Sequence, residues 1–187
     1  QNLRIVPRKK YGIELLLGTE LNIMNAQGEI DLPDSVLERL DIAIASIHLP
    51  CFKDERTIDN VTAAYEEVME HPYVDIIGHP DDGRFPVDMK RMVKKAKETG
   101  TLLEVNNSSL RPEGFRENTK ENCLEMVREC KAQGVMIVLG SDSHVDADIA
   151  EYPYAEEILR ETDFPEELVA NVSLEKLKAC IKHGKKL

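Results

Sequence analysis

A chain of 187 residues is long enough for one domain with a sizeable core, and 42% hydrophobic with 32% charged residues is the composition of a folded, water-facing protein rather than a disordered one. The net charge of −11 weighs against nucleic acid as a broad electrostatic partner, because such binding needs a basic face to displace counterions. No apolar run approaches the roughly 20 residues of a membrane-spanning helix, and four cysteines without a CxxC pair point to reduced thiols and a cytoplasmic setting.

In chain order, the first residue is Gln1 rather than Met, and Arg8-Lys9-Lys10-Tyr11-Gly12 reads as the run-up to an internal strand. The expectation is therefore a chain that begins partway into a longer protein. Residues 15–23 are the first of five apolar, β-branched runs and pass through Gly18-Thr19-Glu20. A turn at Asn25-Ala26-Gln27-Gly28-Glu29 follows, then a second run over 40–49 that ends in Ser46-Ile47-His48. Over 57–70 the helical period places Val61, Ala64, Tyr65 and Val68 on one stripe. The third run, 74–79, ends in Gly78-His79-Pro80-Asp81, and Asp81-Asp82-Gly83 reads as a turn. A helix over 86–99 aligns Met89, Met92, Val93 and Ala96 and stops at Gly100.

The fourth run, 102–106, leads into Asn106-Asn107-Ser108-Ser109. A helix over 119–133 carries Cys123, Val127 and Cys130 on one face, a pattern of buried thiols, and stops at Gly134. The fifth run, 136–139, leads into Gly140-Ser141-Asp142-Ser143-His144. Helices over 154–161 and 173–183 close the chain, with Ser173 as the N-cap of the second. The runs are near-continuous rather than alternating, as in strands buried on both faces of a parallel sheet. Strand–helix alternation then gives one α/β domain over 1–187, a sheet or a barrel.

The polar residues at the strand ends recur in phase with this alternation. Glu20 and His48 are 28 positions apart, His48 and His79 31, and His79 and Asp142 63, the last about two units. A strand–helix unit takes roughly thirty residues in a barrel of ~250. All of these side chains would then emerge at the C-terminal face, where barrels of this kind carry their active sites. Imidazole and carboxylate ligands without thiolates suit an open site for zinc, manganese or iron. A site of this kind could take a small phosphate ester despite the acidic chain, because bound cations reverse the local field. Asn106, Asn107, Ser108 and Ser109 are candidate donors to phosphate, or caps for the following loop. His71 and His183 each lie at a helix C-terminus, a favourable place for a cation rather than a ligand.

Taken in order, Gly-Thr-Glu, Ser-x-His, Gly-His-Pro and Gly-Ser-Asp-Ser-His resemble the later motifs of the PHP (polymerase and histidinol phosphatase) superfamily. Gln27-Gly28-Glu29-Ile30, Glu104-Val105-Asn106-Asn107-Ser108-Ser109, and Asp163-Phe164-Pro165 before Asn171-Val172-Ser173 resemble its YcdX-like phosphatase branch, and the similarity extends over the whole chain. The resemblance implies a distorted (β/α)7 barrel of TIM-like form, of which this chain holds the C-terminal five or so strand–helix units. It also implies a site for up to three zinc ions and hydrolysis of a small phosphorylated substrate. By motif, Glu20 bridges two metals, His48 and His79 complete one of them, Asp142 binds the metal sharing Glu20, and His144 binds the third.

The family opens on a His-x-His motif followed by two more histidines, and no histidine precedes His48 here. The expectation is an N-terminally incomplete PHP domain, its missing histidines lying within about two units, roughly 60 residues, upstream. Exposed strand edges would then favour association with other chains, a homo-oligomer included. Two rival readings stand beside phosphomonoester hydrolysis: a metal-dependent nuclease, and a degenerate domain without catalysis if the natural chain starts near Gln1.

Overall fold

The computed structural model describes residues 5–182, so Gln1 and His183 lie outside the described residues. Five strands form one sheet: β3 (Gly18–Asn22), β4 (Ile42–Ser46), β5 (Ile76–Ile77), β6 (Leu102–Asn106) and β7 (Ile137–Gly140). They lie side by side in chain order, and every neighbouring pair is parallel. Each falls on one of the five apolar runs. A two-stranded antiparallel hairpin of β1 (Lys9–Lys10) and β2 (Ile13–Glu14) precedes the sheet. Its turn is Tyr11-Gly12, both with left-handed φ of 55° and 78°, the geometry that tight hairpins require. The sequence reading had this stretch only as the approach to a strand.

The helices are α1 (Asp34–Leu37), α2 (Ile58–Met69), α3 (Met89–Thr99), α4 (Thr119–Gln133), α5 (Pro153–Glu161) and α6 (Leu174–Cys180). Their ends follow the sequence signals. The side chains of Thr57, Asp88 and Ser173 accept the backbone N–H three residues on. Gly100 and Gly134 close α3 and α4 with φ of 68° and 69°. No helix among the described residues is long and apolar enough to cross a membrane.

Strand residues alternate between two faces. Leu21, Ala43, Ala45, Ile77, Leu103, Val105 and Ile137 point into the main core, with Val61, Tyr65, Met92, Val93, Cys123, Val127 and Ile158 of the helices. α2 packs on α3, α3 on α4 and α4 on α5, so these helices cover one face of the sheet. On the other face a smaller cluster of Ile76, Leu102, Val138 and Ala170, with Ile42, Ile44 and Leu177 against it, fills the end where the strands begin. Towards the C-terminal ends that same face turns polar, and the register aligns Glu20 with Ile44, Asn22 with Ser46, Glu104 with Val138 and Asn106 with Gly140. The site lies there.

Candidate metal centre

Glu20 points to the polar face from the middle of β3, and the loops after β4 and β5 bring His48 and His79 to it. Glu20 Oε1 lies 3.1 Å from His79 Nε2 and 3.3 Å from His48 Nε2, and the two Nε2 atoms are 3.3 Å apart. Three ligand atoms thus converge on one point. They form the one cluster of metal-ligating type among the described residues. His79 is buried and adopts a left-handed φ of 34°, a conformation unfavourable for a residue with a Cβ. Beside these two imidazoles the Glu20 carboxyl is held far below the usual carboxylate range, His48 contributing most and His79 next.

Two further residues prepare His48. Asn22, two positions after Glu20 on the same face of β3, presents Oδ1 to His48 Nδ1 at 2.8 Å. The Asn22 amide is itself oriented by Asp31, which accepts from Nδ2 at 2.6 Å and from the Asn22 backbone N–H at 3.0 Å. With the NH2 group committed to Asp31, the amide oxygen faces the ring, so Nδ1 is a donor and Nε2 is the nitrogen turned towards Glu20 and His79. His79 Nδ1 is buried and has no hydrogen-bond partner among the described residues. The His48 arrangement fits a cation at the Nε2 atoms. Two imidazoles and a carboxylate form a donor set suited to zinc, manganese or iron.

Asp142 and His144 sit at the end of β7, outside the three-atom cluster. Asp142 has φ 48°, and its Oδ2 accepts from Asn106 Nδ2 at 3.2 Å and from Arg116 Nη1 at 3.4 Å. The side chain of His144 is 86% exposed, with Nδ1 3.1 Å from the Asp142 carbonyl oxygen. Asn106 is an internal tie: its Nδ2 also donates to Glu104 Oε2 at 3.0 Å, and its Oδ1 accepts the Ser109 N–H. Asn107 Oδ1 accepts the N–H groups of Tyr154 and Ala155, which begin α5. Ser108 and Ser109 line a cavity of about 270 Å3 with Arg111 and Arg116.

Sequence reading missed Asn22, Asp31, Glu104 and Arg116. Asn22 carried a readable signal, being one strand period beyond Glu20. Arg116 carried none, because its place beside Ser109 (Nη1 to Oγ, 2.8 Å) and Asp142 follows from the loop after β6. The Asp81-Asp82-Gly83 turn is present, but both of its acids are buried. Asp82 is held bidentately by Arg84, while burial raises the Asp81 carboxyl to about 7 against the pull of Arg116.

No family model matches the chain. Among curated proteins it is 45% identical over 186 residues to a probable phosphatase of Clostridium novyi (strain NT), covering 100% of this chain and 75% of that one. A probable phosphatase of Acetivibrio thermocellus is 42% identical over 184 residues, covering 98% of this chain and 75% of that one. One from Thermoanaerobacter sp. (strain X514) is 39% identical over 185 residues, covering 99% and 75%. Among solved structures, the chain is similar to histidinol phosphate phosphatase from Lactococcus lactis, crystallised with zinc, L-histidinol and phosphate. That match has a TM-score of 0.55 at 15% identity and covers 83% of this chain and 69% of that one, a likeness of fold.

Proposed function

The chain belongs to the family of these probable phosphatases, and from that premise we propose that it is a metal-dependent phosphomonoesterase of PHP type, near the YcdX-like branch, acting on a small phosphorylated substrate. The observation that carries this reading is the convergence of Glu20 Oε1, His48 Nε2 and His79 Nε2, with the His48 tautomer set by Asn22. Closure of the sheet as a TIM-like barrel belongs to the same reading and is supported by the consecutive parallel order of its strands.

Glu20, His48 and His79 would hold one ion, zinc before manganese or iron. Asp142 and His144 would serve further ions, up to three in all. When bound, such an ion supplies Lewis acidity, acidifying water and neutralising charge on phosphoryl oxygens. The residues of the chain supply placement. Asp31 and Asn22 orient His48, and the half-buried Glu20–His79 contact fixes the second imidazole. Arg116, whose side chain is only 9% exposed, places guanidinium donors between Asp142 and Ser109, at the wall of the cavity shared with Ser108. Donors of that kind match phosphate oxygens. The net charge of −11 supports a small substrate over a nucleic acid. The four free cysteines support a reducing, cytoplasmic setting.

Protein supplied with zinc or manganese is expected to hydrolyse p-nitrophenyl phosphate and to lose that activity in EDTA. His79→Ala and Glu20→Gln are each expected to reduce kcat by more than the roughly 10–100-fold typical of losing an outer-shell partner. Undiminished turnover in chelator, or no zinc binding by the protein, overturns the reading. Degradation of single-stranded DNA without turnover of the monoester would replace it with the nuclease reading.

A further inference from the structure

One carboxylate on the polar face of the sheet has no part in the three-ligand cluster. Glu104, in the middle of β6, is buried, and among the described residues no Lys or Arg forms an ion pair with it. Burying a charge without a counter-charge is unfavourable unless hydrogen bonds compensate. Here the sheet makes room for it on both sides. A Cβ on Gly140 of β7 would overlap Glu104 Oε1, and one on Gly78, just after β5, would come within 3.5 Å of Oε2 and overlap Ser46 Oγ. Both glycines have ordinary backbone angles, so the need at these positions is for space.

The hydrogen bonds of Glu104 lead to both metal-side turns. Oε2 accepts the backbone N–H of His79 at 2.8 Å and Nδ2 of Asn106 at 3.0 Å. The same Asn106 Nδ2 reaches Asp142 Oδ2 at 3.2 Å. His79 and Asp142, each two residues past the end of its strand in the five-stranded sheet, are held in left-handed backbone, φ 34° and 48°. Such conformations persist where surrounding contacts over-determine them. The 2.8 Å bond from the His79 N–H to Glu104 Oε2 is a contact of that kind, and it fixes the peptide from which the imidazole projects.

We propose that Glu104 is a positioning residue of the metal centre: its buried carboxylate holds the His79 turn directly and the Asp142 turn through Asn106, so that ligands from two strand ends are presented together. The inference rests on the metal-dependent phosphatase reading, and zinc affinity, measured by calorimetric titration of the full chain, separates the two. His79→Ala tests the reading: a variant that binds zinc as the wild type does removes the metal centre itself. Glu104→Leu tests the inference. It is expected to weaken zinc binding at least tenfold in titrations run well below its metal-free Tm, which also falls because the His79 N–H and the Asn106 amide lose a buried acceptor. Glu104→Gln keeps an acceptor for the His79 N–H and is expected to bind zinc within threefold of wild type.

Wild-type affinity in Glu104→Leu, or a Gln variant as weak as the Leu variant, overturns the proposal. Should the Leu variant not fold, Glu104→Gln decides through the His79 amide resonance in histidine-15N-labelled protein. A shift of that amide proton is expected as its acceptor changes from a carboxyl to an amide oxygen, and an unmoved resonance overturns the assignment.

Discussion

His48 shows how much of a candidate metal ligand's competence comes from residues outside the three-atom cluster. Its ring could carry its proton on either nitrogen, and only one choice leaves Nε2 free beside Glu20 and His79. Asn22 makes that choice through a 2.8 Å bond to Nδ1, and Asp31 turns the Asn22 amide the right way round. Replacing Asn22 by Ala frees the tautomer and leaves the three ligands in place. Zinc affinity is then expected to fall about tenfold or more. The change in metal-free stability should stay near the ~1 kcal/mol each of the two hydrogen bonds that the Asn22 side chain makes. Zinc titration alongside urea unfolding checks both numbers, and unchanged affinity would remove Asn22 from the site. The sequence carried Glu20 and Asn22 as neighbours on one strand face, but the Asp31 contact crosses a turn and was not legible.

At the scale of elements, the segment Asn106-Asn107-Ser108-Ser109 divides between support and site. Asn107 Oδ1 takes the N–H groups of Tyr154 and Ala155, free donors in the first turn of α5, where no residue of the helix itself supplies a side-chain cap. It is a helix cap delivered from another strand's loop. Asn107→Ala is expected to cost about 1–2 kcal/mol in urea unfolding, with KM for p-nitrophenyl phosphate unchanged; a raised KM at unchanged stability would return Asn107 to the phosphate site. Local caps such as Thr57, Asp88 and Ser173 were readable because donor and acceptor lie three residues apart. The Asn107 cap spans more than forty-five positions, and no local pattern encodes it. The β1–β2 hairpin escaped notice for a different reason: two-residue strands carry no alternation long enough to read.

For the whole molecule, the parallel sheet has two outer edges among its described residues, and the chain partly covers both. Beside β7, Val169 bridges Ile137, and the Asn171 side chain acts as a short strand mimic: Leu139 N–H donates to its Oδ1 and its Nδ2 donates to Leu139 O, each at 3.0 Å. Beside β3, Asp31 takes the Asn22 N–H, and Ile30 bridges Ile23. Unpaired edges template association. Asn171→Ala is expected to cost roughly 1–3 kcal/mol, the penalty for orphaned backbone groups, and to increase concentration-dependent association in sedimentation velocity. A variant as stable and as monodisperse as wild type would show that this edge needs no cover.

From the sequence alone came the periodic features: five strands, the helices between them, the stops at Gly100 and Gly134, the Ser173 cap, and the phasing that brings Glu20, from the middle of β3, to the same face as His48 and His79, from the loops after β4 and β5. These follow from repeats of two, 3.6 and about thirty residues, and a linear chain displays them directly. Tertiary structure decided which of the strand-end residues meet. It brought Glu20, His48 and His79 to within 3.3 Å of one another, kept Asp142 beside Asn106 and Arg116, and left His144 at the surface. It also revealed Glu104, whose burial depends on Gly140 of β7 and on Gly78 just after β5. Such contacts are set by register and by the space that neighbouring strands leave, and neither has a period along the chain.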